Sequence, residues 1–465
     1  MAKRLFACTN CNAESPKWVG TCPRCGKVAT MEEIEQSSTA QSGKAIGTKT
    51  SLNNVKPKKP VYKLSELAAQ EHTRINTGME EVNRVLGGGL VPGGVVLMAG
   101  EPGAGKSTLL GHLSKSIASL DKKVLYVSGE ESTHQIRLRS ERIKAIDDNI
   151  FVISEQSVVE AIAHIIDMRP DLVIVDSIQT LASPEETGRA GGVAQVNEVS
   201  SLLTKTAKEL GIPMVLVGHF TKDGNIAGPR TVEHLVDVVL QLEYTDNSPL
   251  RLLRAVKNRY GSVNEVGCFE HVDSGLKEIS DPSMLLLGDR ADRAETSGVM
   301  TCIIMEGIRP IPVEVQALAV TSSLNNPRRV ASGLEHQRTL MVEAVCEKHA
   351  GVQIMDKDVF VSTVGGVKIK EPGADLALAL AIASSSHDAP LSPMAIAIGE
   401  VELSGEIRPV SLMGQRIKEA SRLGFKEIYA PRGAKKAAAE LGVTGLDIFE
   451  FRTLSEARNH ALSRR

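Results

Sequence analysis

Residues Gly100-Glu101-Pro102-Gly103-Ala104-Gly105-Lys106-Ser107, followed by Thr108, carry the spacing G-x-x-x-x-G-K-[ST]. Glycines so spaced let backbone N–H groups turn toward phosphate oxygens, and a helix opening at Lys106 adds its positive end. Lys106 would reach the β- and γ-phosphates of ATP, and Ser107 would ligate Mg2+. A second Mg2+ ligand is expected at the end of another apolar strand, where LVIVDS supplies Asp176. Hydrolysis also calls for a carboxylate that orients the attacking water. Glu130 and Glu131, after the run KVLYVSG, are the candidates. Glu130 is preferred, because the strand that follows the loop's helix is expected to lie beside the loop's own strand.

Cys8-x2-Cys11 and Cys22-x2-Cys25 form a second constellation. Each pair can set two thiolates on one face of a tight turn, and two pairs complete a tetrahedral shell suited to Zn2+. So short a segment cannot bury a core of its own, so the metal would supply its folding energy. Two disulfides or a redox dithiol are the competing readings. Lys3, Arg4, Lys17, Arg24, Lys27 and Trp18 suit contact with nucleic acid, while Trp18 suits equally a cap on the metal core.

Positioning such groups takes several folded elements. The 465 residues are 42% hydrophobic and 24% charged, which excludes a disordered or collagen-like chain. At roughly 150 residues per domain the length suggests about three units. The longest apolar run, Leu376 to Ala383, is far short of the ~18 residues a membrane span needs. The start MAKRLFACTN lacks the apolar stretch of a secretory signal, so a reducing, cytoplasmic setting is expected. Residues 1–60 carry ten Lys or Arg against four acids, and the remainder 44 against 52. That asymmetry fits a polyanion partner or a merely solvated arm. Cys268, Cys302 and Cys346 lie in apolar stretches and read as buried core thiols.

Strand-length apolar runs at 95–100, 123–129, 150–154, 172–177 and 214–219 alternate with helical segments such as Lys106–Leu120 and Val193–Leu210. Strands apolar on both faces indicate a mostly parallel sheet covered by helices on each side. Runs at 236–244 and 250–258 predict a closing hairpin. Beyond the acid-rich stretch at 287–298 the pattern becomes α+β, with strands near 299–305, 312–320 and 359–369 and a long helix from Gly373 to Ser386. The boundaries read from these shifts are a four-cysteine zinc finger at 1–30, a linker at 31–60, an ATPase domain at 61–286, a linker at 287–298 and an α+β domain at 299–465.

With the core in this form, the chain resembles the RecA-type P-loop ATPases, where an acid ends the strand after the P-loop helix. That resemblance gives His219, in VGHFTKDG, the place of a γ-phosphate sensor. Lys257-Asn258-Arg259-Tyr260-Gly261 is similar to the signature pentapeptide of the bacterial RadA (Sms) family, with Tyr260 where Phe is usual. The four-cysteine head, the P-loop, this pentapeptide and a Lon-protease-like tail follow one another as in that family. The resemblance covers essentially the whole chain. It implies a DNA-dependent ATPase that drives branch migration of recombination intermediates in DNA repair. It further implies a hexameric ring acting on single-stranded and branched DNA with RecA and a replicative helicase as partners. ATP, Mg2+ and Zn2+ are the implied cofactors.

Lys257 and Arg259 are two residues apart on a strand end, so they could share a face and reach a phosphate, and a P-loop that already holds Lys106 makes them candidates for a neighbour's nucleotide. The resemblance also implies DNA contacts at this pentapeptide and at Arg189, the sole basic residue of the loop 183–195. The tail resembles the Lon protease domain through VSTVGGVKIKEPGADLALALAIASS and AIGEVELSGEIRPV. Gly373 stands where that family has its serine nucleophile and Gly414 where it has the dyad lysine, with Lys418 one helical turn later. Without a nucleophile, peptide hydrolysis is not expected. The tail then reads as a scaffold for the ring, with Arg328, Arg329 and Lys368 available to DNA. An ATP-dependent protease, or a regulator derived from one, is the alternative reading.

Overall fold

A computed structural model describes residues 74–218, 231–244, 249–287 and 296–463, with Lys63 and short stretches at 5–8, 14–15, 20 and 31–34. The chain divides into two compact units, Met1–Gln70 and Glu71–Arg465. In the first, β1 (Leu5–Cys8), β2 (Glu14–Ser15) and β3 (Met31–Ile34) form an antiparallel sheet in the order β2-β1-β3. Leu5 pairs with Ile34, so this sheet extends past the boundary drawn at residue 30. Cys8 ends β1, whereas Cys11, Cys22 and Cys25 lie outside the described residues.

The larger unit opens with α1 (Glu80–Leu86), β4 (Val95–Gly100), α2 (Lys106–Ala118), β5 (Val124–Ser128), α3 (Thr133–Arg142) and β6 (Ile150–Ser154). It continues through α4 (Val158–Met168), β7 (Leu172–Asp176), α5 (Val193–Leu210), β8 (Met214–Val217), α6 (Thr231–Leu235) and β9 (Val238–Tyr244). Then come β10 (Leu250–Asn258), β11 (Val266–Val272), β12 (Gly275–Glu278) and α7 (Ser283–Leu287). The nine-stranded sheet runs β12-β11-β10-β9-β4-β8-β7-β5-β6. From β9 to β6 the pairs are parallel; β10 to β12 add an antiparallel edge. The hairpin expected at 236–258 is therefore present but does not close the sheet.

The apolar runs resolve into two cores by strand alternation. Val96 and Met98 join Leu109, Leu110, Leu113 and Ile117 of α2 on one face. Val95 and Leu97 join Ala161, Ile165, Val199 and Leu203 of α4 and α5 on the other. Every residue of β4 is buried. Each fully buried Val or Leu contributes about 1.5–3 kcal/mol, so β4 is a firmly anchored place from which to hang a loop. Local signals fix the helix ends. Ser132 and Gln135 form a capping box on α3, and Gly87 closes α1 in the left-handed region.

One expectation fails. β5 does not lie beside β4: it pairs with β6 and β7, and β8 and β7 stand between it and β4. A helical crossover lets the next parallel strand land beside its predecessor or beyond it, and later strands here fill the gap.

The tail holds β13 (Val299–Glu306), β14 (Arg309–Thr321), β15 (Arg329–Ser332), α8 (His336–Ala350), β16 (Lys357–Thr363) and α9 (Asp375–Ser386). After these come β17 (Ala395–Ala397), β18 (Glu400–Val401), β19 (Ile407–Arg408), α10 (Met413–Arg422), β20 (Glu427–Pro431), α11 (Ala434–Glu440), β21 (Asp447–Phe451) and α12 (Leu454–Ser463). Its sheet order is β15-β16-β14-β13-β17-β20-β21. The strand expected at 359–369 stops at Thr363, where Gly365, at φ 74°, turns the chain. The helix expected from Gly373 begins at Asp375, after a 3-10 turn at Pro372–Ala374. Leu376 to Ala383 are all buried, which accounts for their unbroken apolar run.

Core and tail meet at a buried ion pair. Glu81 of α1 is 2% exposed and accepts from Arg309 of β14 and from the Cys268 amide. Arg309 also donates to the carbonyls of Val266, Ile279 and Ser280. Removing the guanidinium leaves this buried carboxylate, among the described residues, with only the Cys268 amide and the exposed Arg84, 3.6 Å away. Arg309→Ala should therefore cost on the order of 3–5 kcal/mol, read as a lowered urea midpoint, whereas an unchanged midpoint would mean that the pair holds nothing.

Candidate nucleotide-binding site

The P-loop leaves the carboxyl end of β4 and ends in α2, for which Gly105 is the N-cap. Gly103 and Gly105 hold φ of 82° and 100°, where a side chain would be strained. Glu101, Pro102 and Gly103 are exposed, Ala104 is buried, and Ser107 and Thr108 are half-buried on the first turn of α2. Lys106 is 5% exposed, and its Nζ donates to the carbonyls of Gly100 at 2.7 Å and Glu101 at 3.1 Å. Burial pulls its pKa below the usual lysine value, and the charges of Asp176 and Glu130 oppose that shift. The three groups thus share one electrostatic site.

Asp176 ends β7 and is 7% exposed. Its Oδ2 accepts from Ser107 Oγ at 2.8 Å and from Tyr126 OH at 2.5 Å. A hydroxyl and a carboxylate brought together at the end of a P-loop form the hard-oxygen pair that Mg2+ prefers, so the residues present fit that ion. Burial, then the Asp176 charge, pushes the Tyr126 phenol well above its usual pKa.

Two acids follow β5, and their surroundings differ. Glu130 is exposed and accepts from Ser177 Oγ at 2.8 Å, next to Asp176. Glu131 is paired with Arg139, and its amide donates to Ser128 Oγ at 3.0 Å. Because β5 pairs directly with β7, Ser128 lies opposite Asp176, and this brings Glu130 to the site despite its distance from β4 in the sheet order.

Lys257 to Gly261 lie at the other end of the sheet. β9 runs parallel to β4, with Val238 beside Val96 and Leu242 beside Gly100, and Lys257 pairs with Val239. Lys257 is therefore level with Leu97 and Asn258 with Val96, toward the amino end of β4 and about 10–13 Å along the strand from Gly100 at ~3.3 Å per residue. Lys257 Nζ donates to the carbonyls of Glu233 and Val236 at 2.6 and 2.8 Å. Its pKa is lowered by burial and then by Arg259. Arg259 reaches Asp237 Oδ1 at 3.3 Å, and Asn258 donates to the carbonyls of Val85 and Leu86. Tyr260, its hydroxyl pushed up to about 12 by burial and Asp237, lies near Gly94, where an added Cβ would come within 3.1 Å of its ring. Gly261 packs on Gly87, where an added Cβ would come within 3.3 Å of that backbone.

Arg189 lies in the exposed run at 187–194, and its loop is clamped at the base by buried Gln195, which bonds the backbone of Ser183 and Glu186. His219 lies outside the described residues. The side chains missed from sequence are Tyr126, Arg139, Ser177 and Gln195. Tyr126 and Ser177 find partners about fifty residues away in Asp176 and Glu130, and Arg139 and Gln195 find theirs across a turn or loop, so no motif spacing marks any of them.

In the tail, Gly373 and Gly414 both face filled space. A Cβ on Gly373 would meet Arg416 Nη1 at 2.8 Å and Glu371 Oε1 at 3.0 Å. Arg416 is wholly buried, makes a two-pronged pair with Glu371 and donates to the carbonyls of Ile303 and Ser411. A Cβ on Gly414 would meet Leu441 at 2.8 Å and the Ala437 carbonyl at 3.1 Å. Lys418 points to solvent on α10. Of the tail cations read as available to DNA, Arg328 and Lys368 are exposed, but Arg329 is not free. It pairs with buried Glu343 at 2.7 Å and donates to the carbonyls of Ile354 and Lys357. Cys268, Cys302 and Cys346 are free and buried, as expected; burial pushes the first two up to about 11 and 12.

Known proteins match at each level. An AAA domain family matches residues 61–225 and a rubredoxin metal binding domain family residues 6–33. The DNA repair protein RadA of Bacillus subtilis is 44% identical over 92% of this chain and 92% of its own length. Its namesake in Listeria monocytogenes is 42% identical over 99% of each. Among solved structures, a chain described as an ATPase domain matches 46% of this chain and 94% of its own, with 17% identity and a TM-score of 0.39. With a P-loop ATPase core of mostly parallel sheet, a four-cysteine head and relatives of this identity along nearly its whole length, the chain belongs to the RadA family of DNA repair proteins.

Proposed function

We propose that the chain is a DNA-stimulated ATPase of the cytoplasm that acts in DNA repair, driving branch migration on single-stranded and branched DNA during RecA-mediated exchange. The observation that carries this reading is the cluster of Lys106, Ser107, Asp176 and Glu130 at one end of β4, with Lys257 and Arg259 at the other. Backbone amides of the P-loop and Lys106 would hold the ATP phosphates, and Ser107 with Asp176 would hold Mg2+, which neutralises charge developing on the phosphates. Glu130, tethered by Ser177, would orient the attacking water, since Glu131 is engaged by Arg139. The γ-phosphate sensor role stays with His219.

A head-to-tail ring, here a hexamer, sets one subunit's surface against a different surface of the next. Cations remote from their own P-loop suit such a contact, and Lys257 and Arg259 would act on the neighbour's nucleotide. DNA would meet the exposed loop bearing Arg189 and residues 257–261. RecA and a replicative helicase remain the expected partners. The head at 1–30 would hold zinc through Cys8, Cys11, Cys22 and Cys25, joined by the 31–60 linker to the ATPase domain at 61–286; the 287–298 linker leads to the Lon-like domain at 299–465.

The protease reading is disfavoured by the two glycines at the dyad positions and by the guanidinium that fills the space a serine at 373 would need. Gly373→Ser should displace a pair that cannot move freely, lowering stability by about 1–3 kcal/mol without producing peptidase activity on casein; casein cleavage by that variant would revive the protease reading.

Single-stranded DNA should raise ATP turnover of the native protein, and Lys106→Ala should leave less than a tenth of it. Turnover indifferent to DNA would replace the motor with a nucleotide-switched binding protein. Lys257→Ala should still bind ADP yet lose DNA-stimulated hydrolysis. Mixed with Lys106→Ala, it should regain part of that hydrolysis, because some interfaces then join an intact P-loop to an intact Lys257. Mixed rings, verified by mass spectrometry, that recover nothing would place Lys257's action within one subunit.

A further inference from the structure

Tyr126 lies on β5, 3% exposed, opposite Ile174 of the strand that ends in Asp176. Its hydroxyl donates to Asp176 Oδ2 at 2.5 Å and accepts from Arg139 Nη2 at 3.1 Å. Arg139 is itself paired with Glu131, and its guanidinium carbon sits 5.7 Å from the Tyr126 ring centroid. The direction of these bonds is fixed by chemistry. A guanidinium only donates, so the phenol oxygen must accept from Arg139, and its single proton is left for Asp176. Ser107 supplies the second donor to the same oxygen. The chain Glu131–Arg139–Tyr126–Asp176–Ser107 thus ties helix α3 to the P-loop through one carboxylate.

We infer that Tyr126 is a positioning residue for the magnesium-ligand carboxylate of Asp176, and that Arg139 in turn fixes the direction of the phenol proton. This rests on the nucleotide-site reading above. A carboxylate whose Oδ2 is held by two donors cannot rotate freely, so its other lone pairs keep their aim at the ion without a further loss of side-chain entropy. Were Tyr126 merely a core phenol that had found the nearest acceptor, losing its hydroxyl would leave metal affinity alone.

Tyr126→Phe keeps the ring and removes only the bond. The readout is Mn2+ uptake by the full-length protein saturated with ADP, followed by the electron paramagnetic resonance of free Mn2+. Affinity for Mn2+ should fall by about 10-fold, as for other residues that orient metal ligands, while ADP affinity measured in chelator stays at the native value. Arg139→Met, which frees the phenol proton, should weaken Mn2+ uptake by a smaller factor and serves if the first variant does not fold. Unchanged Mn2+ affinity in either folded variant overturns the inference and leaves the nucleotide site standing. Native protein that takes up no Mn2+ with ADP would overturn the nucleotide-site reading itself, and this inference with it.

Discussion

The position of β4 is the constraint on which the rest of the core depends. It is buried on both faces and paired on both edges, with β8 on one side and β9 on the other. A loop of glycines has little to hold its own shape, so the rigid strand before it and the helix after it must do so. The same strand anchors charged groups at its other end, where the Val95 amide donates to Asp237 Oδ2 and Asp237 in turn receives Arg259. Both charged regions hang from one element, facing opposite ways.

Buried carboxylates join elements at several places among the described residues. Glu81 joins α1 to the tail through Arg309, Asp237 ties the pentapeptide to β4, and Asp375 fixes the start of α9 through Arg338 and the Val401 amide. Burial pushes the Asp375 carboxyl up, and Arg338 and that amide pull against it. Such pairs add little compared with apolar packing, but losing one partner is expensive, so each junction tolerates a single arrangement. Asp176 follows the same rule with hydroxyl donors in place of arginine, which leaves its charge available to a cation.

The tail applies the rule beside Gly373. Arg416 and Glu371 fill the space beside Gly373 and tie the 3-10 turn to β13, since Arg416 donates to the Ile303 carbonyl and Glu371 accepts from the Met305 amide. The absent side chain at 373 is therefore a packing requirement.

Sequence alone determined what is local. The P-loop spacing, the acid ending an apolar strand, the alternation of strand and helix and the glycine at 373 each reside in a few consecutive residues, and folding brings Lys106, Ser107 and Asp176 together. Tertiary structure decided what depends on order and register. A crossover helix does not specify how far the next strand lands, so β5 came to rest beside β7 rather than β4. That placement gave Asp176 its Tyr126 partner and kept Glu130 next to Ser177. In the same way a run of cations reads alike whether its side chains are free or paired, and only packing put Arg329 against Glu343 and left Arg328 exposed. Spacing within a segment is written into covalent geometry. Pairing between segments is settled by the shared burial of surfaces that no short stretch contains.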